Sequence, residues 1–416
     1  MTDAEDGRAA AARLMTTPAV RQRAAQVLAA AEGNRLTHFA LDLDRIDDAA
    51  AYVADVVRER YPGLVVPLHS RWRHFSVGGR DRWQGIHDRL DSATTFEAGR
   101  TRLDLAVIST LLDAGAGTEW RYVEPDSGEV YSRSEGLAVA SIDLFTSGLL
   151  SSDADAPFRV NPDALAALTE QDLATAFQVT AENPLVGLKS RTHLLHRLAH
   201  VIRGRSDFFG GDGGREARLG SLFDQLVAGA EDGSIRASEI LNVVLEGLGQ
   251  LWPGRLELGG VNLGDTWRHP AVHADDPSNG FVPFHKLSQW LTYSLIEPLE
   301  EVGVTVIGLD DLTGLAEYRN GGLFVDLDVL QPKHKAVTAE AHTIDSEIVV
   351  EWRALTVALL DRIADPLRRN LGVDAEAFPL AKVLEGGTWQ AGRRIAEGRR
   401  EGGAPPIQVL SDGTVF

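Results

Sequence analysis

Residues 309–328 concentrate five acidic side chains beside one arginine and a glycine pair. The run reads LDDLTGLAEYRNGGLFVDLD and contains Glu317, Arg319, Gly321 and Gly322. A carboxylate can move a proton or offset a developing positive charge, and an arginine can bind an anion through paired hydrogen bonds. Glycine lets the backbone approach a ligand closely. The run therefore predicts a small-molecule site, and a surface ion pair with a glycine helix cap is the structural alternative.

A second segment, residues 65–83, combines basic and aromatic side chains. Arg71, Trp72, Arg73 and His74 follow one another in it. Such a segment can hold an anion while an aromatic face packs on a ring or a sugar. Buried aromatics beside solvated cations are the structural alternative. Because the protein is otherwise acidic, this local density of basic groups favours a phosphate site.

Two predicted helix starts supply further polar groups. Lys286 falls in the first turn of a long apolar helix, where its charge opposes the helix dipole, so an anion or a carboxylate such as Asp265 has a role beside it. Ser134 is predicted to open another helix. A capping hydroxyl at a helix N-terminus suits an anion or a sugar hydroxyl, and an ordinary cap is the alternative.

Three histidines at helical spacing raise the question of a metal site. His193, His196 and His200 share one face of a predicted helix. Metal-binding sets normally include a carboxylate or a further histidine, but leucines surround these three. The sequence therefore predicts satisfied or exposed histidines and no metal.

The elements that position these groups are predominantly helical. Leu312, Leu315 and Ala316 recur at helical spacing, which predicts a short helix starting near Asp311. In that phase the acid and the arginine of the first run lie at the far end of the helix, where the glycine pair stops it. A hairpin is predicted around the turn at 125–128. Further helices are predicted over 9–31, 47–58, 96–112, 190–202, 219–228, 238–251 and 344–363.

Composition excludes several classes of function. The 416 residues include 60 acidic and 41 basic side chains, for a net charge of −19, which disfavours nucleic acid as a partner. Cysteine is absent, so disulfides, thiolate zinc sites and cysteine nucleophiles are excluded. The acidic N-terminus has no apolar leader, and no apolar run is long enough for a membrane span. We expect a soluble cytoplasmic protein.

Several of these motifs together resemble the uracil-catabolism protein 4 family. The resemblance spans nearly the whole chain, and its motifs lie at 69–75, 113–117, 133–138, 317–322 and 386–389. It implies a role in uracil breakdown that begins from uridine phosphate and opens the base. A substrate like ribosylurea 5-phosphate, split to urea and a ribose phosphate, follows from that implied role.

A more distant resemblance links residues from about 100 to 332 to the queuosine salvage proteins, which are helical DNA-glycosylase-like N-glycosidases of a nucleoside 5′-phosphate. It rests on the hairpin and helix at 120–147, on Asp265 before Phe284-His285-Lys286, and on residues 312–319. Glu317 replaces their aspartate, and small residues replace an aromatic segment at 114–117. The resemblance implies a mainly α, DNA-glycosylase-like fold with one hairpin, and a smaller leaving group than a modified guanine.

Three regions are expected from this comparison. Residues 1–99 form an N-terminal helical extension that carries the basic and aromatic segment, and residues 100–335 form the glycosidase-like helical core. Residues 336–416 form a C-terminal helix and a glycine- and arginine-rich tail, packed on the core as one unit. Whether the tail is a lid stays open.

N-glycoside cleavage passes through an oxocarbenium-like state that a nearby carboxylate stabilises. The candidate catalytic carboxylates are Glu317 and Asp265, with Asp310 third. The candidates for binding the substrate and its phosphate are Arg71, Arg73, His74, Lys286, Arg319, Ser134, Trp72 and Tyr318.

Two other functions stay open at this point. A metal-dependent amidohydrolase acting on the ureido group would use His193, His196 and His200 with an acid. A non-catalytic phosphoribosyl-binding protein would turn over no substrate. For the glycosidase we expect a small phosphorylated nucleoside-derived substrate and no cofactor, metal, nucleic acid or membrane. The exact base or ureide and homo-oligomer formation stay open.

Overall fold

The computed structural model describes residues 3–90, 94–113, 115–210, 216–252 and 255–410. Within them the protein is mainly α-helical with strands of two or three residues, which confirms the predicted fold class. The finer likeness to DNA glycosylases and the division into three regions stay predictions. The chain forms two compact units. The first comprises residues 3–69, 255–289 and 308–410, and the second comprises the described residues of 70–252 together with 290–307.

The helices differ widely in length, from three residues to 25. In chain order the α-helices are α1 (Asp3–Leu14), α2 (Thr17–Glu32), α3 (Ile46–Arg60), α4 (Trp72–Phe75), α5 (Arg82–His87), α6 (Thr95–Leu111), α7 (Arg133–Thr146), α8 (Pro162–Ala167), α9 (Glu170–Ala176), α10 (Leu188–Gly204), α11 (Ser206–Phe209), α12 (Leu222–Ala228), α13 (Ala237–Leu248), α14 (Lys286–Glu301), α15 (Tyr318–Asp326), α16 (Ala336–Ala339), α17 (Glu347–Leu371), α18 (Leu380–Lys382) and α19 (Trp389–Arg399). A π-helical segment, Val383–Thr388, joins α18 to α19.

The strands of the described residues form only two-stranded pairs. They are β1 (Phe39–Leu41), β2 (Tyr122–Val123), β3 (Val130–Tyr131), β4 (Ser234–Arg236), β5 (Glu257–Leu258), β6 (Val261–Asn262), β7 (Thr266–Arg268), β8 (Phe281–Pro283), β9 (Thr305–Ile307), β10 (Leu330–Pro332), β11 (Ala341–Thr343) and β12 (Gln408–Leu410). The pairs β4–β9 and β11–β12 are parallel, and the other four are antiparallel.

Helix α17 is the centre of the first unit. It packs against α2, α3 and α15, and its Trp352, Leu355 and Leu359 are buried. These residues recur every three or four positions, so they form one apolar stripe that removes a large area from water. The predicted C-terminal packing helix is thereby confirmed, and α17 provides the surface against which the candidate site is built.

The second unit is organised around α6 and α10. Helix α6 packs on α7 and α12, while α10 packs on α8 and α9. Leu103, Val107 and Leu111 of α6 are buried, as their spacing predicts. Strands β2 and β3 pair Tyr122 with Tyr131, which confirms the predicted hairpin.

The local structure of residues 309–328 differs from the predicted one. Residues 309–311 form a 3₁₀ turn, residues 312–317 are irregular, and the helix begins only at Tyr318. The backbone N–H of Thr313 donates to Gln289 Oε1 at 2.8 Å, so a side chain of α14 binds the irregular segment. Leu312 and Leu315 are buried as expected. A short apolar run does not distinguish a helix from a buried irregular segment.

The glycine pair also has a different role from the predicted one. Gly321 and Gly322 lie inside α15 and do not end it. A Cβ on Gly321 would stand 2.6 Å from Thr356 Oγ1 and 2.7 Å from Trp352 Nε1. Gly321 is therefore required for the close approach of α15 to α17.

Across the described ranges, none of the helices combines the length and the apolar composition that crossing a bilayer requires.

Candidate active site

Glu317 caps the N-terminus of α15 and is 8% exposed. One carboxylate oxygen accepts the backbone N–H of Arg319 at 2.7 Å, and the other accepts that of Asn320. Burial raises the pKa of Glu317 above its usual value, against the opposing effects of these two amides, Lys286 and His69. Helix caps are usually Ser, Thr, Asp or Asn. A buried glutamate in this position is thus a candidate acid or base as well as a cap.

Lys286 and His69 are the two cationic groups that act electrostatically on Glu317. Lys286 is the first residue of α14 and is half-buried. The His69 Nδ1 lies 2.8 Å from Glu385 Oε2, and both side chains are about 6% exposed. An imidazole bound to a carboxylate through one nitrogen has a fixed ring orientation. The first unit therefore combines a buried carboxylate, an ammonium group and an oriented imidazole.

Glu385 reaches His69 from the π-helical segment, whose wide turn is uncommon in proteins and frequent at functional sites. Thr388, at the end of that segment, donates to Asn320 Oδ1 at 2.8 Å. This bond ties the segment to the first turn of α15. The ring centre of Trp389 lies 6.1 Å from that of His69, with the two ring planes tilted by 46°.

Asp265 is held from three directions. Arg353 donates to both carboxylate oxygens at 2.8 Å, and Trp267 Nε1 donates to Oδ1 at 2.7 Å. Burial opposes ionisation, but these donors, with Arg353 foremost, lower the pKa of Asp265 to about 2. The backbone N–H of Lys286 donates to Oδ2 at 3.1 Å. Asp265 is therefore ionised at neutral pH, anchors the start of α14 and positions Lys286.

Asp310 and Arg319 have structural partners in the first unit. The Asp310 carboxylate accepts Arg368 Nη2 at 2.9 Å and the backbone N–H of Leu380 at 2.6 Å. Arg319 donates to the carbonyl of Gly403 at 2.7 Å, and its guanidinium carbon lies 4.8 Å from the ring centre of Tyr318. Arg319 thus joins the start of α15 to the C-terminal segment.

Arg71 is the central cation of the second unit and is fully buried. Its Nη1 donates to Asp113 Oδ1 at 2.7 Å and to Ser134 Oγ at 3.1 Å, while Nε donates to Ser109 at 2.7 Å. Burial lowers the pKa of Arg71, opposed by Asp113. Among the described residues Nη2 has no hydrogen-bond partner. A buried guanidinium nitrogen of this kind is suited to an anionic oxygen.

Ser134 does not cap the helix. Helix α7 begins at Arg133 with Ser132 as its cap, and Ser134 Oγ lies 2.7 and 2.8 Å from the two oxygens of Asp113. The prediction of a cap at Ser134 is therefore wrong by two residues. Its hydroxyl instead completes the hydrogen bonding of the Arg71–Asp113 pair. Ala114, the next residue of that motif, lies outside the described residues.

The neighbours of Arg71 are mostly packing residues. Trp72 is 5% exposed and donates through Nε1 to the carbonyl of Ser294 at 2.7 Å. Arg73 forms an ion pair with Glu297, and the ring of His74 meets the ring of Trp290 edge-on at 5.9 Å. Of the basic and aromatic segment, Arg71 has the geometry most suited to anion binding.

The helix histidines do not form a metal centre. His196 Nε2 lies 2.7 Å from the carbonyl of Leu168, while His193 and His200 are exposed. Within the described part of the chain, the side chains close enough to hold a metal ion are His38, Glu347 and Glu351. The amidohydrolase alternative is not favoured by this arrangement.

The structure distributes the predicted residues over both units. Glu317, Asp265, Lys286, Arg319, Tyr318 and Asp310 belong to the first unit, and Arg71, Trp72, Arg73, His74 and Ser134 to the second. Sequence reasoning missed His69, Glu385 and Arg353 as site residues. A charged residue beside the apolar stripe of α17 was a signal for Arg353, because a buried arginine requires an anionic partner.

Comparison with known proteins places the chain in a family. Residues 13–416 match the family model described as "Protein of unknown function (DUF1688)". The chain belongs to this family. It is similar to Protein urg3 of Schizosaccharomyces pombe, with 38% identity over 412 residues, which covers 97% of this chain and 98% of the relative. It is also similar to Uracil catabolism protein 4 of Lachancea kluyveri, with 36% identity over 431 residues, or 95% and 97% of the two chains. The resemblance identified from the motifs is confirmed.

Proposed function

We propose that this chain is a hydrolase of pyrimidine catabolism that cleaves the N-glycosidic bond of a phosphoribosyl ureide such as ribosylurea 5-phosphate. The observation that supports it is Glu317, a buried carboxylate at the start of α15 with Lys286 and His69 as cationic neighbours. The name of the Lachancea kluyveri relative, Uracil catabolism protein 4, supports the pathway.

Glu317 is the proposed catalytic carboxylate. When the bond between ribose C1 and the ureido nitrogen breaks, its electron pair leaves with the nitrogen and C1 becomes cationic. An ionised Glu317 offsets that charge and accepts a proton from the water that adds to C1. The ureido nitrogen takes up a proton, so that urea and the ribose phosphate are the products.

His69 is the proposed source of the proton for the departing ureide. Its Nδ1 contact with Glu385 orients the ring, as a carboxylate partner does for a general acid. Lys286 is the proposed phosphate-binding cation of the first unit, and the half-buried ring of Tyr318 is proposed to pack on the sugar. Asp265 acts indirectly in this scheme, because it accepts the backbone N–H of Lys286 and so fixes the backbone position from which the lysine side chain extends.

Replacement of Glu317 by glutamine tests the proposal. Glutamine keeps one oxygen for the cap but removes the charge, so we expect kcat for release of ribose 5-phosphate to fall by roughly 10²–10⁴ with little change in KM. Glu239→Gln is the control, since Glu239 also accepts a backbone N–H at a helix start but is exposed.

Two outcomes count against the assignment. A Glu317→Gln enzyme with wild-type turnover removes Glu317 from catalysis. A wild-type protein that binds ribosylurea 5-phosphate and releases no urea from it is a binding protein.

Arg71 is the proposed anion-binding group of the second unit. Its buried Nη2 has no hydrogen-bond partner among the described residues and can bind an anionic oxygen, whereas Arg73 is already paired with Glu297. Arg71→Lys keeps a charge beside Asp113 but loses the planar donor set, so we expect affinity for inorganic phosphate to fall by about tenfold. Isothermal titration of Arg71→Lys beside Arg73→Lys measures this. An equal loss in both variants, or no loss in the first, contradicts it.

A further inference from the structure

Three side chains of the first unit place metal-binding atoms close together. His38 precedes β1, and Glu347 and Glu351 lie one turn apart at the start of α17. One donor atom from each lies within 4.8 Å of the others, and His38 Nε2 is 3.5 Å from Glu347 Oε1. Tetrahedral coordination with bonds near 2.0–2.1 Å separates its donors by about 3.3 Å. Small side-chain movements would therefore bring all three atoms to one ion.

We propose that His38, Glu347 and Glu351 bind a divalent transition-metal ion. One imidazole and two carboxylates are a donor set that Zn²⁺ and Mn²⁺ accept in proteins. The two glutamates are spaced i and i+4, so they share one face of α17. A divalent cation neutralises their two charges, whereas a neutral histidine does not.

Hydrogen bonds from its neighbours fix the orientation of the Glu351 carboxylate. Glu351 has no exposed surface, and its Oε1 accepts the backbone N–H groups of His38 at 3.2 Å and Phe39 at 2.9 Å. His269 Nε2 lies 3.4 Å from Oε2. His269 Nδ1 accepts the N–H of Ala271 at 3.2 Å, so in the neutral ring the proton is on Nε2 and points to Glu351. The carboxylate is thus oriented by donors on both oxygens.

His38 has the second contact that metal-binding histidines require. Its Nδ1 lies 2.9 Å from His334 Nε2. Coordination through His38 Nε2 requires the proton on Nδ1, and His334 is placed to accept it. Outer partners of this kind fix the tautomer and orientation of a ligating ring, and their loss costs 10- to 100-fold in affinity.

The proposed metal site is partly open to solvent. The Glu347 side chain is 40% exposed and His38 is 14% exposed, so an ion can enter from solvent. A bound ion joins the segment before β1 to the first turns of α17, two parts of the chain that are more than 300 residues apart. We therefore expect the metal to stabilise the first unit.

Metal binding to the full chain tests the proposal. After chelator treatment, wild-type protein is titrated with Zn²⁺ by calorimetry and its Tm is measured with and without Zn²⁺. We expect one ion per chain and a higher Tm. Glu347→Ala, at a partly exposed helix start, is expected to bind at least tenfold more weakly and to lose the Tm increase. Glu340→Ala, an exposed carboxylate nearby, is the matched control.

His334→Ala is a second variant that leaves all three ligands in place. We expect it to weaken Zn²⁺ affinity by 10- to 100-fold through the orientation of His38. Absence of stoichiometric Zn²⁺ and Mn²⁺ binding in the wild type overturns the proposal, and so does wild-type affinity in Glu347→Ala. Hydrolysis is measured separately. Activity that persists after chelation indicates that the metal ion has a structural role and is not needed for the reaction.

Discussion

Glu317 has two roles that both depend on its ionised carboxylate. As a cap it accepts two backbone N–H groups, and as the proposed catalytic base it needs to be ionised. Burial raises its pKa, so the ionised form is lost at a higher pH than for an exposed glutamate. In the proposed mechanism, the protonation state of this one residue therefore limits activity on the acidic side.

The pH profile of kcat/KM measures this limit. Because the pKa of Glu317 is raised in the free enzyme, activity should fall as pH decreases through a value above the pKa of an exposed glutamate. Release of ribose 5-phosphate is followed from pH 4 to 8. In Glu317→Gln the residual activity should lack that acidic limb. An unchanged limb in the variant assigns it to another group.

Close contact between α15 and α17 depends on one glycine. A Cβ at Gly321 would collide with Thr356 and Trp352, both in the core of the first unit. Gly321→Ala is therefore expected to lower the free energy of unfolding by about 1–3 kcal/mol through overpacking. Urea unfolding followed by circular dichroism measures the change.

Gly398 provides the matched control for that substitution. It lies in α19, and no atom stands within 4 Å of the position that an added methyl group would take, so alanine there meets open space. Gly398→Ala should be neutral or stabilise by up to about 1 kcal/mol, because alanine favours the helix. Equal effects at the two glycines would show that propensity, and not the α15–α17 contact, decides the result.

Elements with a regular apolar stripe were predictable from the sequence. Helix α17 and the hairpin of β2 and β3 have periodicity that is visible without any partner. The candidate site was only partly predictable. Glu317 was singled out from its neighbours, but its role as a cap depends on α15 beginning at Tyr318 and not near Asp311. The His69–Glu385 contact joins residues 316 positions apart, which no local pattern reveals.

At the scale of the whole molecule, the buried Asp265–Arg353 pair makes the free energy of unfolding depend on pH in the acidic range. The folded-state pKa of Asp265 is about 2, below its usual 3.8. A carboxyl group whose pKa is lower in the folded state stabilises the fold at pH values above its unfolded-state pKa. This contribution is lost as pH falls from about 4 towards 2. The shift corresponds to roughly 2 kcal/mol at neutral pH.

Comparison with Asp265→Asn isolates this contribution. Between pH 5 and pH 2.5, wild-type protein should lose about 1.5 kcal/mol more unfolding free energy than Asp265→Asn. Urea midpoints at a series of pH values give the difference. Asp48→Asn, at an exposed carboxylate in the first turn of α3, should follow the wild type. Parallel pH curves for wild type and Asp265→Asn would contradict the assignment.

The first unit is assembled from three separate stretches of chain, and its strand pairs β1–β10 and β11–β12 join stretches far apart in sequence. During synthesis on a ribosome, residues 3–69 emerge long before their partners at 308–410. The nascent N-terminal helices must wait with their apolar faces uncovered through most of translation. Chaperone dependence of newly made protein should consequently concentrate on that early segment.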